Sequence, residues 1–201
     1  MRQKTYAVNS EEENIIADGV EITIYGAITD FTCSENQITA LDVSKNVELT
    51  TLDCHSNQLT SLDVSNNIAL TELNCYSNQL TALDVSKNVA LTKLSCGGNQ
   101  LETLDVSKNT ALTYLDCSQN KFTNFDLSKN NALNTLYCDG NKTITTLSVA
   151  SAYGNGSIST VLAKIITNAT STTGTLNIYG GDNTTVHTAA TTKGWTVNAN
   201  L

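Results

Sequence analysis

The stretch LTTLDCHSNQ at 49–58 sets a carboxylate, a thiol and an imidazole side by side as Asp53, Cys54 and His55. A thiol with an imidazole beside it and an acid to orient that imidazole is the equipment of covalent catalysis. Reading on by 21 residues gives LTELNCYSNQ, and 21 more gives LTKLSCGGNQ. The cysteine returns on schedule, whereas the acid and the imidazole do not. The two histidines, His55 and His187, lie in different regions, and neither recurs with an acid and a nucleophile. A catalytic triad therefore has no support in the pattern, and the sequence reads as a non-enzyme.

The schedule runs through most of the chain. Cys33, Cys54, Cys75, Cys96, Cys117 and Cys138 are 21 residues apart, as are Asn36, Asn57, Asn78, Asn99, Asn120 and Asn141. Asp42, Asp63, Asp84, Asp105 and Asp126 keep the same step, together with Asn46, Asn67, Asn88, Asn109 and Asn130. Such a period marks a solenoid of stacked coils. Each unit has two similar halves, LTxLxCxxNQ and LTxLDVSxNxx. A ten-residue coil is nevertheless excluded, because starting a parallel neighbour takes a crossover of a dozen or more residues. Within each half, Leu52-Asp53-Cys54 and Leu62-Asp63-Val64 alternate apolar, polar, apolar, the period of a half-buried strand. Leu, Cys and Val face inward, and stacking sets like residues about 4.8 Å apart along the axis. Asn57 and its equivalents follow the strand where the chain turns, and their amides are placed to satisfy backbone groups that the turn leaves unpaired.

These constraints decide the chemistry of the repeated polar groups. Inward cysteines pack as small apolar groups. Disulfides along the ladder are disfavoured, since in-register side chains keep their Cβ atoms about 4.8 Å apart against the usual ~3.8 Å. Zinc is disfavoured too, because ligands in a line do not make a tetrahedron. The five carboxylates of the Asp column would repel one another uncompensated. Calcium is one remedy. The reading adopted is that each Asp accepts hydrogen bonds from nearby Ser, Thr or backbone donors, with Lys45, Lys87, Lys108 and Lys129 as countercharge. No metal and no cofactor is expected.

Composition excludes further classes. The chain has 201 residues, no proline, 15% charged residues and a net charge of −8, with 11 scattered basic residues. Nucleic-acid binding needs clustered Lys and Arg. Apolar runs such as NIIADGV fall far short of the roughly 20 residues a bilayer requires. The N-terminal MRQKTYAVNSEEE has no apolar segment of the secretory type, so a signal peptide is absent from the sequence as given.

LTTLDCHSNQL fits the pattern LxxLxLxxNxL with Cys in the third apolar slot, and the nested LTSLDVSNN half makes the chain resemble bacterial leucine-rich-repeat proteins of the irregular 21-residue class, surface or secreted type. The resemblance covers 28 to about 150. It departs from horseshoe-shaped members in having no helical segment between strands. It implies an α/β-poor solenoid with two parallel β ladders, a nearly straight stack and a small α/β C-terminal cap. The expected organisation is an N-terminal segment and capping strand at 1–27, six coils at 28–150 and the cap at 151–201. Val20, Ile22 and Ile24 read as the capping strand. Ile158, Val161, Leu162, Ile165 and Ile166 read as a helix with Ser157 as N-cap. TLNIY then reads as a strand, NTTVHTAATTKG as a second helix closed by Gly194, and WTVNA as a last strand. This tail resembles the C-terminal caps of repeat proteins that gut-associated bacteria display or secrete, which implies an extracellular or cell-surface location and a monomer.

What varies between coils is where recognition is expected, since the constant positions are explained by stacking. Three outward columns flank the cysteine strand: Asp30, Thr51, Glu72, Lys93, Tyr114, Thr135; Thr32, Asp53, Asn74, Ser95, Asp116, Tyr137; and Ser34, His55, Tyr76, Gly97, Ser118, Asp139. On the opposite side the columns are monotonous. The candidate binding residues are Asp53, His55, Glu72, Tyr76, Tyr114, Asp116, Tyr137 and Asp139, facing an unidentified protein or glycan. The competing reading is a spacer region of a larger cell-surface protein, with no ligand of its own and with surface residues free to drift.

Overall fold

The computed structural model describes residues 7–8, 14–18, 21–25, 27–150, 161–163, 166–167, 169–179 and 184–198. Six strands, Asp30–Thr32, Thr51–Asp53, Glu72–Asn74, Lys93–Ser95, Tyr114–Asp116 and Thr135–Tyr137, pair in parallel at a 21-residue register. Ala7–Val8 adds an antiparallel edge against Asp30–Thr32, making a seven-stranded sheet. Each strand is short because only its central Leu or Phe points inward before the chain reaches the cysteine and turns.

Two side-chain ladders reinforce this sheet. Thr50, Thr71, Thr92 and Thr113 each donate from Oγ1 to the carbonyl of the threonine one coil earlier, at 3.0–3.1 Å. The buried Asn57 donates from Nδ2 to the carbonyls of Cys33 and Cys54, at 3.0 and 2.9 Å, and accepts at Oδ1 from the amides of Asn36 and Ile38. Asn78, Asn99, Asn120 and Asn141 likewise bridge their own coil and the one before. The residue preceding each ladder Asn is left-handed: Glu35, Ser56, Ser77, Gly98, Gln119 and Gly140 have φ between 51° and 80°. Only two of these six are the glycine that such a backbone favours.

The opposite side is held differently. Ala40–Asp42 pairs with Glu21–Tyr25, and Asn124–Asp126 with Thr146–Ala150, but residues 61–63, 82–84 and 103–105 form no ladder. The second ladder therefore hydrogen-bonds at its two ends and runs as extended, stacked chain through the three central coils. Leu62, Leu83 and Leu104 are each 8% exposed there, whereas Leu52, Leu73 and Leu94 on the cysteine side are at most 1% exposed. Turns compensate. Asn67 closes a turn on Val64, Leu70 closes the next on Asn67, and Asn67 Nδ2 donates to the carbonyls of Val43 and Asn46. Unlike Asn57, however, Asn67, Asn88 and Asn109 bury an Oδ1 with no hydrogen-bond partner among the described residues.

One continuous core of Leu, Val, Ile, Phe and Cys runs through the coils. Its ends are modified. Phe31 stands where later coils have Leu, and Phe122 and Phe125 replace Leu101 and Leu104 and stack at 5.6 Å with an interplanar angle of 3°. At the N-terminal end, Asn14–Asp18 and Glu21–Tyr25 form an antiparallel pair that extends the second ladder, with Ile22 and Ile24 buried. Val20 lies outside the described residues. At the C-terminal end Thr146–Ala150, Thr175–Tyr179 and Thr196–Asn198 continue the ladder in parallel. Residues 161–163 and 166–167 are helical with Leu162 and Ile166 buried, while Ser157, Ile158 and Ile165 lie outside the described residues. The helix Thr184–Lys193 ends as expected at Gly194 (φ 87°), whose amide bonds Thr191 while that of Trp195 bonds Ala190. Trp195 is buried just before the last strand rather than in it, and its indole lies over Gly174, where a Cβ would sit 2.5 Å from Cε2.

Candidate functional site

Alternation along the strand separates the triplet that opened the question of catalysis. Cys54 points into the core with no exposed surface, and Asp53 and His55 point out. His55 Nδ1 lies 2.6 Å from Asp53 Oδ1, so the acid and imidazole do pair, but the thiol is on the other side of the sheet. All six thiols are free and buried. Desolvation pushes Cys33 and Cys75 up to about 12 and raises Cys54, Cys96 and Cys117 well above the usual thiol range. They are therefore protonated at neutral pH and poor nucleophiles.

The Asp column is explained by local hydrogen bonds. Asp42, Asp63, Asp84, Asp105 and Asp126 each accept at Oδ1 from the backbone amide two residues on, at 2.8–2.9 Å. Hydrogen bonds from Ser44, Ser65 and Ser107, through side chain and backbone, hold Asp42, Asp63 and Asp105 below the usual carboxylate value, and the Ser86 backbone leads for Asp84. Among the described residues, no group of three or more His, Cys, Asp or Glu side chains is arranged to hold a metal ion.

The outward face of the cysteine-side sheet carries the candidate binding residues. Tyr114 and Tyr137 meet with ring centroids 5.8 Å apart, tilted by 51°, and Tyr137 is 50% exposed. Partial burial raises the Tyr114 phenol, with Asp116 and Tyr137 adding to the shift. Glu72 and Lys93 form an ion pair across adjacent coils at 2.7 Å. A hollow of about 410 Å³ spans Asp53, Glu72, Asn74, Lys93, Ser95 and Tyr114, and a smaller one of about 270 Å³ adjoins it, lined by His55, Asn74, Tyr76, Ser95 and Asp116. Asn74 and Ser95 line both. Seven of the eight candidates thus fall in one region: six line the hollows, and Tyr137 packs against Tyr114. Asp139 stands exposed in the last coil, outside both.

Two features were missed in the sequence. Gly97 reads as a neutral member of its column, yet a Cβ there would lie 2.9 Å from Tyr76 Cε2 and 2.8 Å from Asp116 Oδ1. A glycine in a column otherwise bearing side chains was the available signal. Val47, Ile68 and Val89 also form an exposed aliphatic column, 55–62% accessible, at a turn edge of three successive coils. Their 21-residue spacing was legible, but their exposure was not.

No protein-family model matches the chain, and no sequence among the curated proteins does. Among solved structures, the chain is similar to the functional domain of InlJ from Listeria monocytogenes, which includes a cysteine ladder, with a TM-score of 0.57 and 29% identity over 77% of this chain and 41% of that one. An internalin, inlF, of the same organism is matched at a TM-score of 0.47 and 24% identity, over 55% of this chain and 38% of that one. The chain thus spans about two fifths of the length of these structures. Among the described residues, no helix is long and apolar enough to cross a membrane. Coils of 21 residues, an inward cysteine ladder bridged by asparagines, and the likeness to a solved cysteine-ladder domain all agree: the chain has the leucine-rich-repeat architecture, a solenoid of parallel strands with few helices.

Proposed function

We propose that the protein is a non-enzymatic binding module, working at the cell surface or outside the cell, that holds a protein or glycan on its cysteine-side sheet. The observation that carries this reading is the grouping of Tyr114, Tyr137, Tyr76 and the adjoining hollows on the one sheet whose outward columns vary. Tyrosine offers a large contact area with a polar tip and is enriched at interfaces. The strands beneath are fixed by backbone, threonine and asparagine ladders, so the face loses little freedom on binding.

Glycan-array and protein-panel screens with the purified chain are the test. A ligand found in this way loses at least about tenfold in affinity, about 1.4 kcal/mol, when Tyr114 and Tyr137 are both changed to Ala. Changing Ser65, Ser86 and Ser107 on the opposite side has little effect. The reverse ranking would move the binding surface to the other side. No ligand in either screen would favour the spacer reading.

A further inference from the structure

The smaller hollow has a definite chemistry. Tyr76 lies against Gly97, the one residue in its column without a side chain: a Cβ there would sit 2.8–2.9 Å from Asp116 Oδ1, Ser118 Oγ and Tyr76 Cε2, so the glycine lets the ring and the carboxylate close in, and the hollow opens beside them between His55, Asn74, Tyr76, Ser95 and Asp116. Asp116 forms another wall. Its Oδ1 accepts from the Ser118 amide at 3.0 Å and from Ser118 Oγ at 2.7 Å, which fixes the carboxylate, and Oδ2 has no hydrogen-bond partner among the described residues. A fixed carboxylate with one uncommitted oxygen beside an aromatic ring suits a group that is both cationic and flat-sided or alkyl. The larger surroundings agree. The outward columns carry Asp30, Asp53, Glu72, Asp116 and Asp139 against the single ammonium of Lys93, which is already paired with Glu72, and the ring of His55 is engaged by Asp53.

We propose that Tyr76, Ser95 and Asp116, with the ring and the carboxylate seated on Gly97, form a preformed cup for one arginine or lysine side chain of a protein partner. The inference rests on the cysteine-side sheet being the binding face. It commits that face to a basic protein segment rather than to a neutral glycan. The cup is specific to the fourth coil, because the other members of the Gly97 column, Ser34, His55, Tyr76, Ser118 and Asp139, all carry side chains that would keep a neighbouring ring and carboxylate from closing on the backbone.

A fluorescein-labelled hexa-arginine peptide, titrated against the full chain by fluorescence anisotropy, tests the cup. Asp116→Asn keeps the acceptor that Ser118 uses and removes only the charge. It weakens hexa-arginine by about fivefold, as do Tyr76→Leu, which removes the aromatic face, and Gly97→Ala, which pushes the Tyr76 ring and the Asp116 carboxylate off their seat. Asp84→Asn on the opposite side makes the same charge change and leaves affinity within about twofold, because screening isolates distant surface charges. Should Asp84→Asn match Asp116→Asn, the peptide is reading net charge and the cup is refuted. Thermal melts identify any variant that has lost its fold, and the remaining two then decide. If hexa-arginine does not bind, while a glycan or protein from the screens depends on Tyr114 and Tyr137, the cup is refuted and the binding face stands.

Discussion

Raising the pH from 7 to 9 should destabilise this protein far more than a chain of its size without buried thiols. In the unfolded chain a cysteine titrates at about 8.5. In the folded chain Cys33 and Cys75 titrate at about 12, and Cys54, Cys96 and Cys117 well above the usual range. The folded state therefore holds its thiol protons more tightly. The sign follows directly: this contribution is fully present below the unfolded value and is lost as the pH rises through the window up to the folded values. At pH 9 roughly three quarters of unfolded thiols are ionised, which stabilises the unfolded state by about 0.8 kcal/mol per cysteine. Five such thiols give about 4 kcal/mol, a large part of the roughly 5–15 kcal/mol that ordinarily separates folded from unfolded. With a urea slope of about 2 kcal/mol per molar, the midpoint falls by about 2 M. The assay is urea unfolding by circular dichroism at both pH values with a reductant present, a range in which Lys and Tyr barely titrate. Changing Cys75 and Cys96 to Ala lowers stability at both pH values through the cavities left, but reduces the difference between them by about two fifths. Equal midpoints at pH 7 and 9 for the unaltered protein would refute the assignment of buried, protonated thiols.

Four shorter tests probe the remaining architecture. Thiol reagents should label few cysteines in the native protein and all six after denaturation without reductant; zero or two would show that bridges had formed. Asn99→Leu removes the acceptor for the Leu80 amide and one of two donors to each of the carbonyls of Cys75 and Cys96, which Asn78 and Asn120 still serve. Only the Leu80 amide is left unpaired, so the cost by urea unfolding is about 1–3 kcal/mol. Gly98→Val puts a branched side chain at φ 63° and costs about 1–2 kcal/mol, whereas Ser77→Gly, at φ 55°, costs nothing measurable. EDTA should leave the melting temperature unchanged, because Asp42, Asp63, Asp84, Asp105 and Asp126 are served by amides; acid, by contrast, should lower it as the pH falls below about 4 through the depressed values of Asp42, Asp63, Asp84 and Asp105.

The repeat was legible because stacking forces identical inward residues at identical steps. Cys54, Leu52 and Asn57 must recur wherever the next coil presents the same hole, so the period, the inward face and the role of the asparagines could be read directly. The left-handed column could not. Only Gly98 and Gly140 advertise it, while Glu35, Ser56, Ser77 and Gln119 adopt it under the demand of the ladder asparagine that follows. The interruption of the second ladder was equally hidden, since Leu62-Asp63-Val64 alternates just as Leu52-Asp53-Cys54 does, and pattern says nothing about the spacing between coils. Tyr76 leaning across Gly97 toward Asp116 depends on a rotamer and on a neighbour 21 residues away, so spacing alone could not place its ring.

The contrast between a variable and a monotonous side has a mechanical origin. On the cysteine side, backbone pairing, threonine hydroxyls and asparagine amides all join neighbouring coils, and none of them uses an outward side chain. Residues such as Glu72, Tyr76 and Lys93 can therefore change without weakening the stack. On the opposite side the central coils lack ladder bonds, and the chain relies on Asp63 accepting from Ser65 and on the turns closed at Asn67. Outward Asp63 and the Ser65 that follows it are structural there, which is why they repeat. Freedom to vary is thus supplied by the fold, and by itself it implies no ligand. Drift alone, however, gives no reason for a glycine to lie beneath a tyrosine ring beside a carboxylate whose second oxygen is left unengaged. Those three residues lie on three successive coils and make one cup, so the case for binding rests more on Tyr76, Gly97 and Asp116 together than on the variability of the face as a whole.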